Sequence, residues 1–147
     1  VISTALARAL RDSGLVWHPL AGDAFRIDLV EADAEVFILS DMTVEAHEFS
    51  TGTVLGFNGT TEWALDSVAL DDALWLPSET QLRELLRGAF LRLELASTGF
   101  AVAAVIQGVE QNFVAAAAED AYARALLALI DSSLGELDGD ETLPELQ

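Results

Sequence analysis

Asp41, Glu45 and His47, in the stretch DMTVEAHEF, come closest among the residues of this chain to a metal-ligand set. Two carboxylates and one imidazole supply the oxygen and nitrogen donors that manganese, zinc or iron accept. If the segment is extended, Glu45 and His47 point the same way, because strand side chains alternate with a period of two. Asp41 then lies just beyond the apolar centre of EVFILSD (Glu35–Asp41), and His18 in VWHPL becomes a fourth ligand only where the fold delivers it. The activity this set would support is that of a small metal-dependent hydrolase. Against it, the spacing matches no specific metal motif, and a histidine in an acidic loop is more often simply solvated.

A second group lies in GFNGTTEWALDSV, where Glu62 and Asp66 flank Trp63. Asn58-Gly59 is the preferred pair for a two-residue type I′ turn, since both positions require positive φ. A hairpin over Thr53–Leu65 then sets Phe57 opposite Thr60, Leu55 opposite Glu62 and Val54 opposite Trp63. Glu62 shares its face with Leu55 and Phe57, and a carboxyl lodged among apolar groups resists ionisation, which suits a general acid. Glycoside hydrolysis needs a second such carboxyl, and none can be placed, so the competing reading is a solvated sheet margin. Nucleophilic routes are poorly supplied: no cysteine, two histidines and no GxSxG. Neither GxxxxGK[ST] nor GxGxxG occurs, so no phosphate loop is read, and no catalytic or cofactor-binding residue is assigned.

The charge balance bears more directly on function. Twenty-five Asp and Glu stand against seven Arg and no Lys, a formal net charge of −18. Duplex DNA carries about one charge per 1.7 Å, and its binders need a basic footprint that this chain lacks, so nucleic acid is not an expected partner. A surface of this sign favours cations or basic proteins. An apolar fraction of 52% is high for so charged a chain; part of that apolar surface is expected to meet a second subunit, and a homodimer is the first expectation. Arginine as the sole basic residue, with abundant alanine, points to a GC-rich bacterial genome. Tryptophans 17, 63 and 75 are read as core and rim packing rather than as the lining of a ligand groove.

The elements that must position these groups follow from periodicity. Ser3–Ser13 reads as an amphipathic helix that ends at Gly14, with Leu15 returning onto Leu10. FRIDLV (Phe25–Val30) and EVFILSD (Glu35–Asp41) read as strands. DSVALDDALWLP, interrupted by acids, reads as a loop with one short extended segment. Ser78 and Gln81 form a capping box for a helix with Leu82, Leu85 and Leu86 inward and Gly88 at its end. FLRLEL and FAVAAVI form a hairpin through ASTG, with a further strand near Asn112–Val114. A helix from about Ala116 to Ser133 lines up Ala118, Tyr122, Ala125, Leu126, Leu129 and Ile130. The expectation is an α+β fold, an antiparallel sheet built from hairpins with about three helices packed on one face. The alternative is a partly closed barrel with flanking helices. Residues 1–133 form one domain on this reading, and 134–147 an acidic, loose tail. No apolar run approaches the ~20 residues of a membrane helix, and the first fifteen residues do not resemble a secretion signal, so a cytoplasmic location without membrane contact is expected.

Taken together, FNGTTEWALDSV, SDMTVE, LWLP, QLRELL and YARALLAL resemble a set of small actinobacterial proteins sometimes labelled pilus assembly proteins. The resemblance runs from the first helix to about Asp131. It implies a link to pilus assembly through that label, and it implies no catalytic residue; the ATPases of pilus assembly carry a phosphate loop that this chain lacks. The leading expectation is therefore a non-catalytic acidic interaction module acting as a homodimer on a basic protein partner, with no cofactor. The alternative is the metal-dependent hydrolase that uses Asp41, Glu45 and His47.

Overall fold

A computed structural model describes residues 1–28, 36–39, 45–49, 52–56, 67–69 and 72–142, with side chains over 1–28, 36–39 and 72–134. In chain order the elements are α1 (Thr4–Asp12), β1 (Ala24–Ile27), β2 (Phe37–Ile38), β3 (Glu45–Phe49), β4 (Gly52–Gly56), β5 (Ser67–Ala69), β6 (Ala73–Leu76), α2 (Glu79–Leu86), β7 (Phe90–Ala96), β8 (Gly99–Ile106), β9 (Val109–Ala115) and α3 (Ala118–Thr142). The class is α+β, with helices packed on antiparallel sheet. The described strands form three separate three-stranded sheets, and none closes on itself, so the barrel alternative does not hold. The backbone separates into two compact units: Val1–Leu15 with Ser78–Gln147, and Val16–Pro77.

The unit built from the two chain ends follows the sequence closely. Ser3 caps α1, its Oγ accepting from the Leu6 N–H at 3.3 Å. The helix ends in a Schellman motif: Leu15 N–H donates to the Leu10 carbonyl and Gly14 N–H to that of Arg11, both at 3.0 Å, with Gly14 at φ +112°. Ser78 and Gln81 make both bonds of the capping box of α2, at 2.9 and 3.1 Å. A 3-10 turn, Arg87–Ala89, then leads into the meander β7-β8-β9. Ser97–Thr98 joins the first pair of strands. Gln107–Gly108 joins the second with φ +53° and +79°, the positive pair that a type I′ turn requires.

α3 packs along β8 and β9, and α1 and α2 pack against α3. Ala118, Ala121, Tyr122, Ala123, Ala125 and Leu126 are all buried, so the first half of α3 is enclosed on more than one side. Alanine permits this, because a small side chain lets neighbouring backbones approach. The Tyr122 and Phe90 rings meet at 5.6 Å, tilted by 36°, a geometry that contributes about 0.5–1.5 kcal/mol beyond area burial. The helix expected to stop near Ser133 continues to Thr142, and its last turns include residues expected in the loose tail.

The unit Val16–Pro77 holds the sheets β2-β1-β6 and β3-β4-β5. On one face of the first, Phe25 pairs with Phe37 and Trp75, and Ile27 with Ala73. Trp17, Phe25, Leu39 and Ala73 form the buried cluster, with Ile27, Phe37 and Trp75 packed against it. β6 and β5 both lie in the segment read as a loop with one extended piece, so that segment supplies two strands rather than one. Asp71 and Asp72 broke the pattern by which a strand is recognised, while the four residues Ala73–Leu76 suffice once β1 is beside them.

The register expected for the Thr53–Leu65 hairpin is not the one formed. Leu55 pairs with Ala46 on one side and Val68 on the other, and Val54 with His47 and Ala69. A strand has two edges, and both edges of β4 are taken by β3 and β5. Asn58-Gly59, with the rest of 57–66, lies outside the described residues.

Candidate functional site

The Leu20–Asp23 turn and the aromatic face it opens onto form the most heavily constrained group of polar and aromatic side chains in the described chain. Asp23 stands at the head of β1 and is 5% exposed, the only buried charged residue among those described. Its Oδ2 accepts from the Trp17 Nε1–H at 2.9 Å and from the Leu20 N–H at 3.0 Å. The Asp23 main chain closes the same turn, its N–H donating to the Leu20 carbonyl at 3.1 Å and its carbonyl accepting from the Leu39 N–H at 2.9 Å. One carboxylate thus fixes the indole, the turn and the entry to β1.

Trp17 lies nearly parallel to Trp75 at 6.4 Å, with 10° between planes, and tilted on Phe25 at 5.6 Å. Phe25 in turn stacks on Phe37 at 5.6 Å. Two buried donors nearby, Arg26 Nε and Trp75 Nε1, have no hydrogen-bond partner among the described residues. Arg26 and Trp75 themselves are only half-buried and lie on opposite faces of the sheet, since Arg26 pairs with Leu74 and Trp75 with Phe25. They do not converge on one point. What this cluster does chemically is hold an acid and an indole together.

The meander carries a separate ionic group. Arg92 donates through Nε to Glu94 at 2.6 Å and through Nη2 to Glu110 at 2.7 Å, reaching across the small Ala103 of β8. Those two hydrogen bonds, Glu94 first, hold the guanidinium above its usual range. At the head of α3, Asp120 Oδ1 accepts the Ser3 N–H at 2.8 Å, tying the start of α1 to the start of α3. Glu119 beside it is held below the usual carboxylate range, first by the hydrogen bond from its own main-chain N–H, and the positive end of the helix favours the same form.

The residues expected to bind metal are placed as follows. Glu45 and His47 both stand on β3, two positions apart, opposite Gly56 and Val54; the segment is extended, as their shared direction required. Asp41 lies outside the described residues. His18 is exposed, in the segment that precedes β1. No three histidine, aspartate or glutamate side chains gather around a common point among the described residues. Glu62, Trp63 and Asp66 also lie outside them.

Asp23 is the residue that sequence reasoning passed over. In AGDAF it reads as a turn acid, and its signal was the tryptophan six residues upstream, whose indole N–H needs an acceptor once buried. Comparison with family models, with curated proteins and with solved structures returns no match, so the reading of function rests on the chain itself.

Proposed function

We propose that this chain is a non-catalytic, acidic interaction module, a bacterial cytoplasmic protein that acts as a homodimer and presents carboxylates to a basic protein partner. One observation carries the reading: 25 Asp and Glu face 7 Arg with no lysine. Local geometry supports it. Exposed Arg92 is paired with two glutamates, Glu94 and Glu110, so the positive charge of the meander is balanced on its own surface. No helix among the described residues is long and apolar enough to cross a membrane. A role in pilus assembly rests on the segment resemblance alone.

The test is capture from a lysate of the source bacterium at about 50 mM and 500 mM salt, since screening weakens exposed charge pairs over this range. The expected result is a basic protein retained at low salt and released at high salt, which rebinds when purified. Recovery of no salt-sensitive partner would count against the reading.

The metal-dependent hydrolase is kept as a second reading, because β3 sets Glu45 and His47 on one strand. An ion that binds the native state raises its melting temperature, by linkage. A melting-temperature series with Mn, Zn, Mg and a chelator is expected to show a rise with one ion that Glu45→Gln and His47→Ala abolish. A flat series removes this reading.

A further inference from the structure

The outer edge of β7 is free among the described residues, where β7 pairs only with β8. It carries Leu91, Arg92, Leu93, Glu94 and Leu95, a sequence whose apolar positions and charges are self-complementary when reversed. Two of its leucines are exposed where a sheet edge is an aggregation liability: Leu95 at 82% and Leu91 at 42%. The two-residue turn closes on the pair Ala96–Gly99, so the main-chain groups of Ala96, Glu94 and Arg92 face β8. By alternation, those of Leu93 and Leu95 face outward and are available to a further strand.

We propose that two copies of the chain pair antiparallel along this edge, about a two-fold axis at Leu93, joining two three-stranded meanders into one six-stranded sheet. The proposal deepens the homodimer reading above by assigning its surface. Leu93 then exchanges main-chain hydrogen bonds with its symmetry mate. Arg92 lies opposite Glu94 of the second copy twice over, and Leu95 reaches the bulge at Leu91. Because a two-fold axis in antiparallel pairing stands perpendicular to the sheet, like faces join. Leucines meet on the side facing α3, and charges meet on the other.

Register argues for this centre and against its neighbours. Opposed residues must share hydrogen-bonding phase, so the axis falls on a residue. Centring on Arg92 would set Arg92 against Arg92, and centring on Glu94 would set Glu94 against Glu94. Only Leu93 gives opposite charges. The guanidinium has five donors, and its bonds to Glu94 and Glu110 leave others for the incoming carboxylate. The bulge between Phe90 and Arg92 falls at Leu91, so the regular edge begins at Arg92 and the pairing ends there. The other free edge, β9, reads VEQNFVA; it has one charge, Glu110, and no basic residue to meet it.

A short edge pairing belongs to the small, dissociating class of interfaces, so sedimentation equilibrium is run on the full chain from about 1 to 500 µM. The wild type is expected to dimerise. R92E and E94R each create two like-charge pairs by symmetry and are expected to weaken the dimer about tenfold or more. These variants move the net charge in opposite directions, from −18 to −20 and to −16, so a general charge effect would push them apart rather than together. The double variant R92E/E94R restores opposite charges and is expected to dimerise more tightly than either single one. Leu95→Arg, at an exposed position, is expected to weaken the dimer with circular dichroism and melting of the monomer unchanged. A wild-type dimer that none of these variants weakens, or single reversals that the double variant does not rescue, overturns the edge pairing and leaves the homodimer reading standing. A wild type that stays monomeric throughout overturns both.

Discussion

Asp23 carries more of the Val16–Pro77 unit than any motif that drew attention in the sequence. Its carboxylate is the acceptor for two donors, one of them the indole of a 7%-exposed tryptophan. Asp23→Ala leaves those donors without that acceptor in a site with little water. The expected loss is about 1.5–3 kcal/mol, the range for hydrogen bonds to a charged group. Asp23→Asn keeps one carbonyl oxygen for them and should lose about half of that. Urea unfolding followed by tryptophan fluorescence measures both, and equal losses would mean that shape rather than charge matters at this position. At this scale the sequence was least legible. An aspartate between glycine and alanine has the same local signature whether its side chain is wet or buried, and only Trp17 arriving from six residues away distinguishes them.

At the scale of elements, local chemistry was a good guide wherever an element ends on its own residues. The Schellman ending of α1 and the capping box of α2 each need side chains and main chain within five residues, and both are formed as expected. Hairpin register depends on more than the turn. Asn58-Gly59, with its strong turn chemistry, lies outside the described residues, while β4 takes its partners from β3 and β5. Meanwhile the positive-φ pair of the meander is Gln107–Gly108, with a residue that rarely announces such a turn. Gly99 shows the same dependence on distant partners. With φ +149°, a Cβ there would press on the Ala115 carbonyl oxygen and lie 2.7 Å from the Ala116 Cα. Gly99→Ala is expected to destabilise the chain by about 1–3 kcal/mol, because backbone rather than a flexible side chain must move. A melting temperature within a degree of wild type would show that the β8–β9 end gives way freely.

For the whole molecule, charge and edge geometry make separable demands. A complex with a basic partner held by exposed carboxylates should dissociate as salt rises, whereas the β7 edge pairing loses only the part that Arg92 and Glu94 contribute and keeps its main-chain hydrogen bonds. The capture experiment and the sedimentation experiment, run over the same salt range, therefore report on different surfaces of one protein. The sequence by itself determined the α+β class, the three helices, the first hairpin of the last sheet and the acidic character. Each of these depends on periodicity, capping or composition, and all three act within a few residues or sum over the chain. Among the described residues, the tertiary structure alone decided that the strands divide among three sheets, that Leu55 pairs with Val68, that Asp23 is buried and that β7 keeps an open edge. Those outcomes depend on which distant segments compete for the same hydrogen-bonding edge and the same apolar face, and that competition is not written in any single stretch of chain.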